Sequence, residues 1–313
     1  MEEVILPKDV FESNLVDLLA LLGEARQHSR VLFDFHRVGY YIPAAIVSVV
    51  ATVNHIREHG ECAFTNHEIC TAFRYFQRMD LFSHVGLNLP EDFHRNPNSS
   101  DFIPVKKVDP AANDVAQLAT LLGECIDPTN GPAKQAVEYS ASENILNCRQ
   151  HSRAIGYVSA QYAPKRDYAR IGIADCGRGI LESFRANQSG FYREGMTDTE
   201  ALELAIQPNV SSTTHLPHMY GKSPNRGVGL SMMRDLVRQT MGYMVLVSGT
   251  GWWMQDGTKP ARSGRLPRGH SFQGVVCSIC FQRNEIVDFN AMLEEARQVL
   301  GLQGSDPDGS LFV

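Results

Sequence analysis

Hydrophobic and polar positions change rhythm repeatedly over the first 88 residues. "EVILP" alternates briefly, as a strand does, and "FESNLVDLLALLGEAR" places apolar residues three and four apart, the spacing of an amphipathic helix. "VLFDF" is a short apolar run. "PAAIVSVVATVNHIREHG" then predicts a helix opened by Pro43 and closed by Gly60. "ECAFTN" predicts another strand and "EICTAFRYFQRMDLFSHVG" one further helix. Strand and helix alternating at this density imply a small α/β domain over 1–88.

Periodicity lapses over 89–110, "LPEDFHRNPNSSDFIPVKKVDP", a proline-rich polar stretch that reads as a linker. A second α/β domain is expected over 111–287. It opens with two helices, "AANDVAQLATLLGECI" and "GPAKQAVEYSASENILNCRQHS", followed by strands "AIGYVSAQYAP" and "YARIGIAD". The stretch from Asn187 to Arg226 is irregular apart from "DTEALELAI", as in a lid. Beyond it come the helix "GVGLSMMRDLVRQTMG" and a late hairpin of "YMVLVSGTGWWMQ" and "SFQGVVCSICFQ", joined by the arginine-bearing turn "DGTKPARSGRLPRGH". A C-terminal helix and loose tail occupy 288–313. No internal repeat is present.

Composition narrows the class without naming a chemistry. Hydrophobic residues make up 43% and charged residues 20% of the 313, as in globular proteins, and a net charge of -6 indicates no general nucleic-acid footprint. The start "MEEVILPKDV" is acidic and lacks a signal-peptide core. The longest apolar run, "IPAAIVSVVATV", is too short for a bilayer. Seven cysteines without a repeated framework point to a reducing, cytoplasmic setting. "CSIC" has half the spacing of a zinc site, but Cys277 and Cys280 would face opposite ways on a strand, as two small core residues.

Candidate chemistry lies in the second half. Glu143, Asn147 and His151 are spaced four apart in "SENILNCRQHS", so they share one helix face. A carboxylate beside an amide oxygen suits Mg²⁺ and the orientation of a water, although a solvated face has the same pattern. In "RIGIADCGRGI" a strand stops on Asp175, then Gly177 and Gly179 follow. A buried carboxylate there requires a donor, such as the exocyclic amine of adenine, and the glycines would let a ligand press against backbone. A tight turn without ligand reads the same way. In "KSPNRGVGLSMM", Gly227, Gly229 and Leu230 lead into a helix whose free N–H groups suit phosphate, with Lys222 and Arg226 just upstream.

A helix with E-x-x-x-N, a strand ending D-x-G-x-G, a polar lid and a G-x-G-L helix start, in this order, resemble the GHKL ATPases, the superfamily of gyrase and histidine kinases. The likeness covers about 112–283. It implies a Bergerat-type sandwich, a mixed sheet with helices on one face, that binds ATP and Mg²⁺. By that resemblance Glu143 is the general base, Asn147 the Mg²⁺ ligand and Asp175 the adenine-reading carboxylate. Gly177 and Gly179 shape the pocket, while Lys222, Arg226, Gly227, Gly229 and Leu230 close on the phosphates. Many members carry G-T in a late strand; the matching point here is Gly274–Val275, and a G-T falls instead at Gly249–Thr250.

"VLFDFHRVGYYIPAAIVSVV" with "FRYFQRMDLF" resembles a STAS-like domain, and its fusion to such an ATPase is a bacterial signalling arrangement. In phosphorylated STAS partners the acceptor serine opens the helix after the second strand. In the matching region, "HRVGYYIPAAIV", no Ser or Thr comes before Ser48, which implies a scaffold that meets protein partners, including a second copy of the chain. The expected activity is Mg²⁺-dependent ATP hydrolysis driving lid closure. A serine kinase of the anti-sigma type acting on a separate partner and a nucleotide-gated module with negligible turnover are the alternatives. "HEICTAF" at His67 lacks the Arg and Pro of a phosphoacceptor helix.

Overall fold

The computed structural model describes residues 1–95, 101–111, 114–129, 131–148, 152, 154–211 and 229–299. In chain order the first half runs β1 (Glu2–Ile5), β2 (Asp9–Val10), α1 (Leu15–Ala25), β3 (Arg30–Asp34), β4 (Tyr40–Tyr41), α2 (Pro43–Arg57), β5 (Glu61–Thr65), α3 (Phe73–Arg78) and α4 (Leu81–His84). It continues with β6 (Phe102–Val108), α5 (Val115–Ile126), α6 (Pro132–Asn147), β7 (Gly156–Ala163), β8 (Tyr168–Asp175), α7 (Gly179–Ala186) and α8 (Asp198–Ala205). The last elements are α9 (Gly229–Gln239), β9 (Tyr243–Gly249), β10 (Gly251–Asp256), β11 (Arg262–Arg265), β12 (Phe272–Gln282) and α10 (Phe289–Val299). The fold is mixed α/β, as the alternation of periods predicts. Among the described residues no helix is long and apolar enough to cross a membrane.

Three parallel strands, β1, β3 and β5, form the small sheet of the first half, with β3 central. The helix expected over "EICTAFRYFQRMDLFSHVG" is two short ones. Asp80 between them takes a left-handed φ of 58°, which ends α3 and starts α4 in a new direction.

The second sheet has seven strands in the order β11, β10, β9, β12, β8, β7, β6. It is antiparallel throughout rather than mixed. Hairpins connect β7 to β8 and β9 to β10 directly, and β12 returns to lie between β8 and β9, so no ladder runs parallel. Three local readings change. Part of the expected linker is β6, whose Ile103, Val105 and Val108 point alternately into two cores. The expected strand over "YMVLVSGTGWWMQ" breaks at Gly249–Thr250 into β9 and β10, because Gly249 supplies the positive φ of a two-residue turn. The arginine-bearing turn contains β11.

Both faces of this sheet are covered. Val158, Ile171, Ile173, Leu246 and Ile279 pack against α5, α6, α9 and α10. On the other face Val105, Tyr157, Ala174, Val245, Val247 and Val276 share one continuous core with α1, α2 and the small sheet. Helix α2 opens against Gly172 of β8, where a Cβ would meet Pro43 and Ala44 backbone, and α1 touches Ser271 backbone at Gly23. Arg170 of β8 donates from Nε to Glu12 Oε1 at 2.6 Å with both side chains buried, and the Tyr40 hydroxyl donates to Gln161 at 2.8 Å. An apolar helix of period 3.6 therefore finds its second partner in residues more than 100 positions away.

All seven cysteines are free, and Cys277 and Cys280 lie on opposite faces of β12, as strand geometry demands. Trp253 is buried, whereas Trp252 is half-buried on the opposite face of β10.

Candidate functional site

A cavity opens where α6, the C-terminal end of β8, α7 and the start of α9 meet. Helix α6 begins at Pro132, whose fixed φ suits a first helical position, and runs to Asn147 at the cavity. Glu143 and Asn147 both line it from one face of the helix. Asn144, between them, also lines the cavity and reaches α9, with Nδ2 donating to Ser140 O at 2.8 Å and lying 3.0 Å from Met233 Sδ. That contact fixes α9 on α6.

Asp175 ends β8 at the bottom of the cavity and is 2% exposed. Its Oδ1 accepts from Ser152 Oγ at 2.7 Å and from the Gly177 N–H at 2.8 Å, and the backbone of Val275 donates as well. Its Oδ2 faces the Cys148 thiol at 3.7 Å, a weak donor that leaves this oxygen able to accept from a stronger one. Burial pushes the Asp175 carboxyl above its ordinary range, and these donors only partly offset that. Beside it Ile173, Cys277 and Leu246 sit in register on three adjacent strands, and Phe184, Ile180 and Val210 close an apolar slot.

The glycines have separate roles. Gly179 lines the cavity and takes a φ of +76°, which lets α7 begin directly after the strand. The α7 start is capped by Ser248 Oγ, which accepts from the Ile180 N–H at 2.9 Å. Gly177 does not line the cavity; a side chain there would collide with Ser152, so this glycine admits the serine that holds Asp175. Gly229 and Leu230 line the opposite wall, and a Cβ on Gly229 would come within 2.9 Å of the Glu143 carboxyl carbon. The third motif is thus laid directly on the first. Lys222, Arg226, Gly227 and His151 lie outside the described residues.

Glu143 has no hydrogen-bond or ionic partner among the described residues, and burial alone raises its carboxyl to about 7. A carboxyl poised there can take a proton near neutral pH, the condition for general-base work. Among the described residues no group of three or more His, Cys, Asp or Glu is placed to hold a metal ion. A cation here would rest on the Asn147 oxygen beside Glu143, which suits an ion that keeps several waters of its own, as Mg²⁺ does.

Sequence reasoning missed Ser152, Cys148 and the apolar slot. Ser152 carried no signal, since its role exists only once α6 has returned the chain beside β8. Val275 departs from the G-T pattern, yet it reaches Asp175 through its backbone, which any residue type can do. Gly274 before it takes a φ of +96° at a bulge in β12, close against Asp175 backbone. The literal G-T lies elsewhere: Thr250 donates to Asp198 at the start of α8. Ser48, the first hydroxyl in its region, is fully buried in α2 and donates to Ala44 O at 2.7 Å.

No family model, curated protein or solved structure matches this chain.

Proposed function

We propose that the cavity binds ATP with Mg²⁺ and that the chain hydrolyses it, as a GHKL-type ATPase joined to a STAS-like half. The observation that carries this reading is convergence. Glu143 and Asn147, Asp175 and Gly179, and Gly229 and Leu230 come from segments up to 87 residues apart and line one cavity.

Each group has a task that its surroundings suit. The apolar slot of Ile173, Leu246 and Cys277 takes a flat base, and Asp175 Oδ2 accepts from the exocyclic amine at its end. Asn147, which lines the cavity, would hold the cation, and the cation would supply positive charge to the phosphates. Glu143 Oε2 lies against α9 and orients a water, taking its proton as the water oxygen bonds to the terminal phosphorus and the bond to the bridging oxygen breaks, so that ADP leaves with that oxygen and inorganic phosphate is formed. Glu143 must be ionised to do so, and a value of about 7 leaves a substantial fraction in that form at neutral pH. Hydrolysis of this kind depends mainly on positioning and charge stabilisation.

The first half is read as a scaffold for protein partners and for a second copy of the chain. Its α2 packs on β8, the strand that ends in Asp175, so a change at the cavity has a rigid path to the small sheet. The test is phosphate release with Mg²⁺-ATP together with nucleotide affinity. Steady release that stops in Glu143→Gln while affinity is kept supports the reading. Label transferred from the terminal phosphate to a protein would favour a kinase, and binding without release a gated module. Absence of ATP binding in the folded wild type sinks the nucleotide reading altogether.

A further inference from the structure

A second cavity, of about 650 Å³, lies between α8, α9, β10, the turn after it and β11. Its size is in the range of small-molecule pockets, roughly 300–1,000 Å³. The chemistry of its walls differs from that of the first. Arg234 and Arg238 line it from one face of α9, Lys259 from the turn and Arg262 from β11, with Trp253 and Gln255 of β10 also on its walls.

The three guanidiniums carry unspent donors. Arg234 and Arg238 both approach the same oxygen, Asp235 Oδ1, at 3.4 and 3.9 Å, so one carboxylate serves two guanidiniums. Arg234 Nε is buried without a hydrogen-bond partner although that side chain is only 16% exposed. Arg262 reaches only the Met254 sulfur, a weak acceptor, at 3.3 Å. Among the described residues Asp235 is the one carboxylate that Arg234 and Arg238 approach, and Arg262 approaches none. The carboxylates nearby are otherwise engaged. Asp256 holds Lys259 at 2.8 Å, and Glu203, the one acidic residue on the wall, accepts from Ser263 at 2.5 Å. Cations brought together with this little compensation repel one another, and each guanidinium offers five N–H donors in a planar fork that matches phosphate oxygens.

We propose that this cavity is a binding site for a small phosphate-bearing anion, separate from the nucleotide cavity. It shares two elements with that cavity. Leu230 and Gly229 of α9 face the first cavity while Arg234 and Arg238 face the second, and Ala205 and Ile206 divide in the same way at the end of α8. An anion here would draw α9 and β11 together through Arg234, Arg238 and Arg262.

The site has its own reporter. In a Trp252→Phe background Trp253 is the only tryptophan, and it lines this cavity and not the other. Inorganic pyrophosphate titrated into that protein should change Trp253 emission saturably, with one equivalent bound by calorimetry. Affinity should fall at least tenfold in Arg234→Gln and in Arg262→Gln, and on raising salt from about 0.1 to 0.5 M. It should be unchanged in Asp175→Asn. Arg262 is exposed on an edge strand, so Arg262→Gln is expected to fold and decides the matter if Arg234→Gln does not. A folded wild type without saturable binding overturns the proposal, as does equal affinity in the arginine variants. ATP binding is measured separately on the same proteins, so failure of the nucleotide reading leaves this result interpretable.

Discussion

Gly172→Ala tests the packing of the first half on the large sheet. Gly172 lies in the middle of β8, where α2 begins directly above it. An added Cβ would stand 2.5 Å from the Pro43 carbonyl carbon and nearer still to Ala44, all of it backbone. Backbone cannot rotate away as a side-chain end can, so α2 must lift by roughly 1 Å to restore contact distance, enough to forfeit a quarter to a half of the local dispersion energy. The residues lost from contact include Ala44, Ala45 and Val47, all within 1% of complete burial. Overpacking of a filled core typically costs about 1–3 kcal/mol, and a rigid backbone obstacle places this change near about 3 kcal/mol. That is roughly a hundredfold in the folding equilibrium. Urea unfolding followed by far-UV circular dichroism reads it as a lowered midpoint. Gly190→Ala, with nothing within 4 Å of the new Cβ, is the matched control and should shift the midpoint negligibly. An unchanged midpoint in Gly172→Ala would refute the shared core, because a β8 face directed to solvent would accept the methyl without strain.

Glu143→Gln should lower ATP turnover about 10²–10⁴-fold with affinity retained, and remove a rise in rate through about pH 7 seen in the wild type. The same variant has a stability signature with a defined sign. Glu143 has a folded value raised above the unfolded one, so its favourable contribution is complete below about 4.3 and is lost as pH rises through about 7. Unfolding curves should therefore show Glu143→Gln gaining about 3 kcal/mol on the wild type between pH 4 and pH 8. Asp175→Asn should weaken ATP at least tenfold in a binding titration, since an amide cannot match a carboxylate as acceptor for the base amine. Glu12→Ala strands the buried Arg170 charge and should cost about 3–5 kcal/mol. The double change Glu12→Leu with Arg170→Met should recover most of that loss in a denaturation cycle.

Much of the fold was legible because local order depends on short windows. The strand and helix of "VLFDF" and "PAAIVSVVATV" announce themselves by period, and Pro43 marks its helix start without any knowledge of what α2 packs on. Breaks were harder. Asp80 and Gly249 turn the chain with a single positive φ, which the surrounding apolar pattern does not reveal. Strand β6 was hidden in a polar, proline-bearing stretch because an edge strand needs only one paired side and tolerates Pro104 and two lysines.

The sequence by itself determined the α/β class, most of the elements, and the residue types at the first cavity, since spacing of four on a helix places Glu143 and Asn147 on one face wherever the helix goes. Only the tertiary structure decided what those residues meet. Gly229 lies against Glu143, Ser152 donates to Asp175, and α2 covers β8, all through contacts between segments brought together by burial of apolar faces. Such faces state that they require a partner and not which one. The choice among partners is made by shape, at positions such as Gly172 and Gly23, where the absence of a side chain is informative only beside the backbone that fills the space.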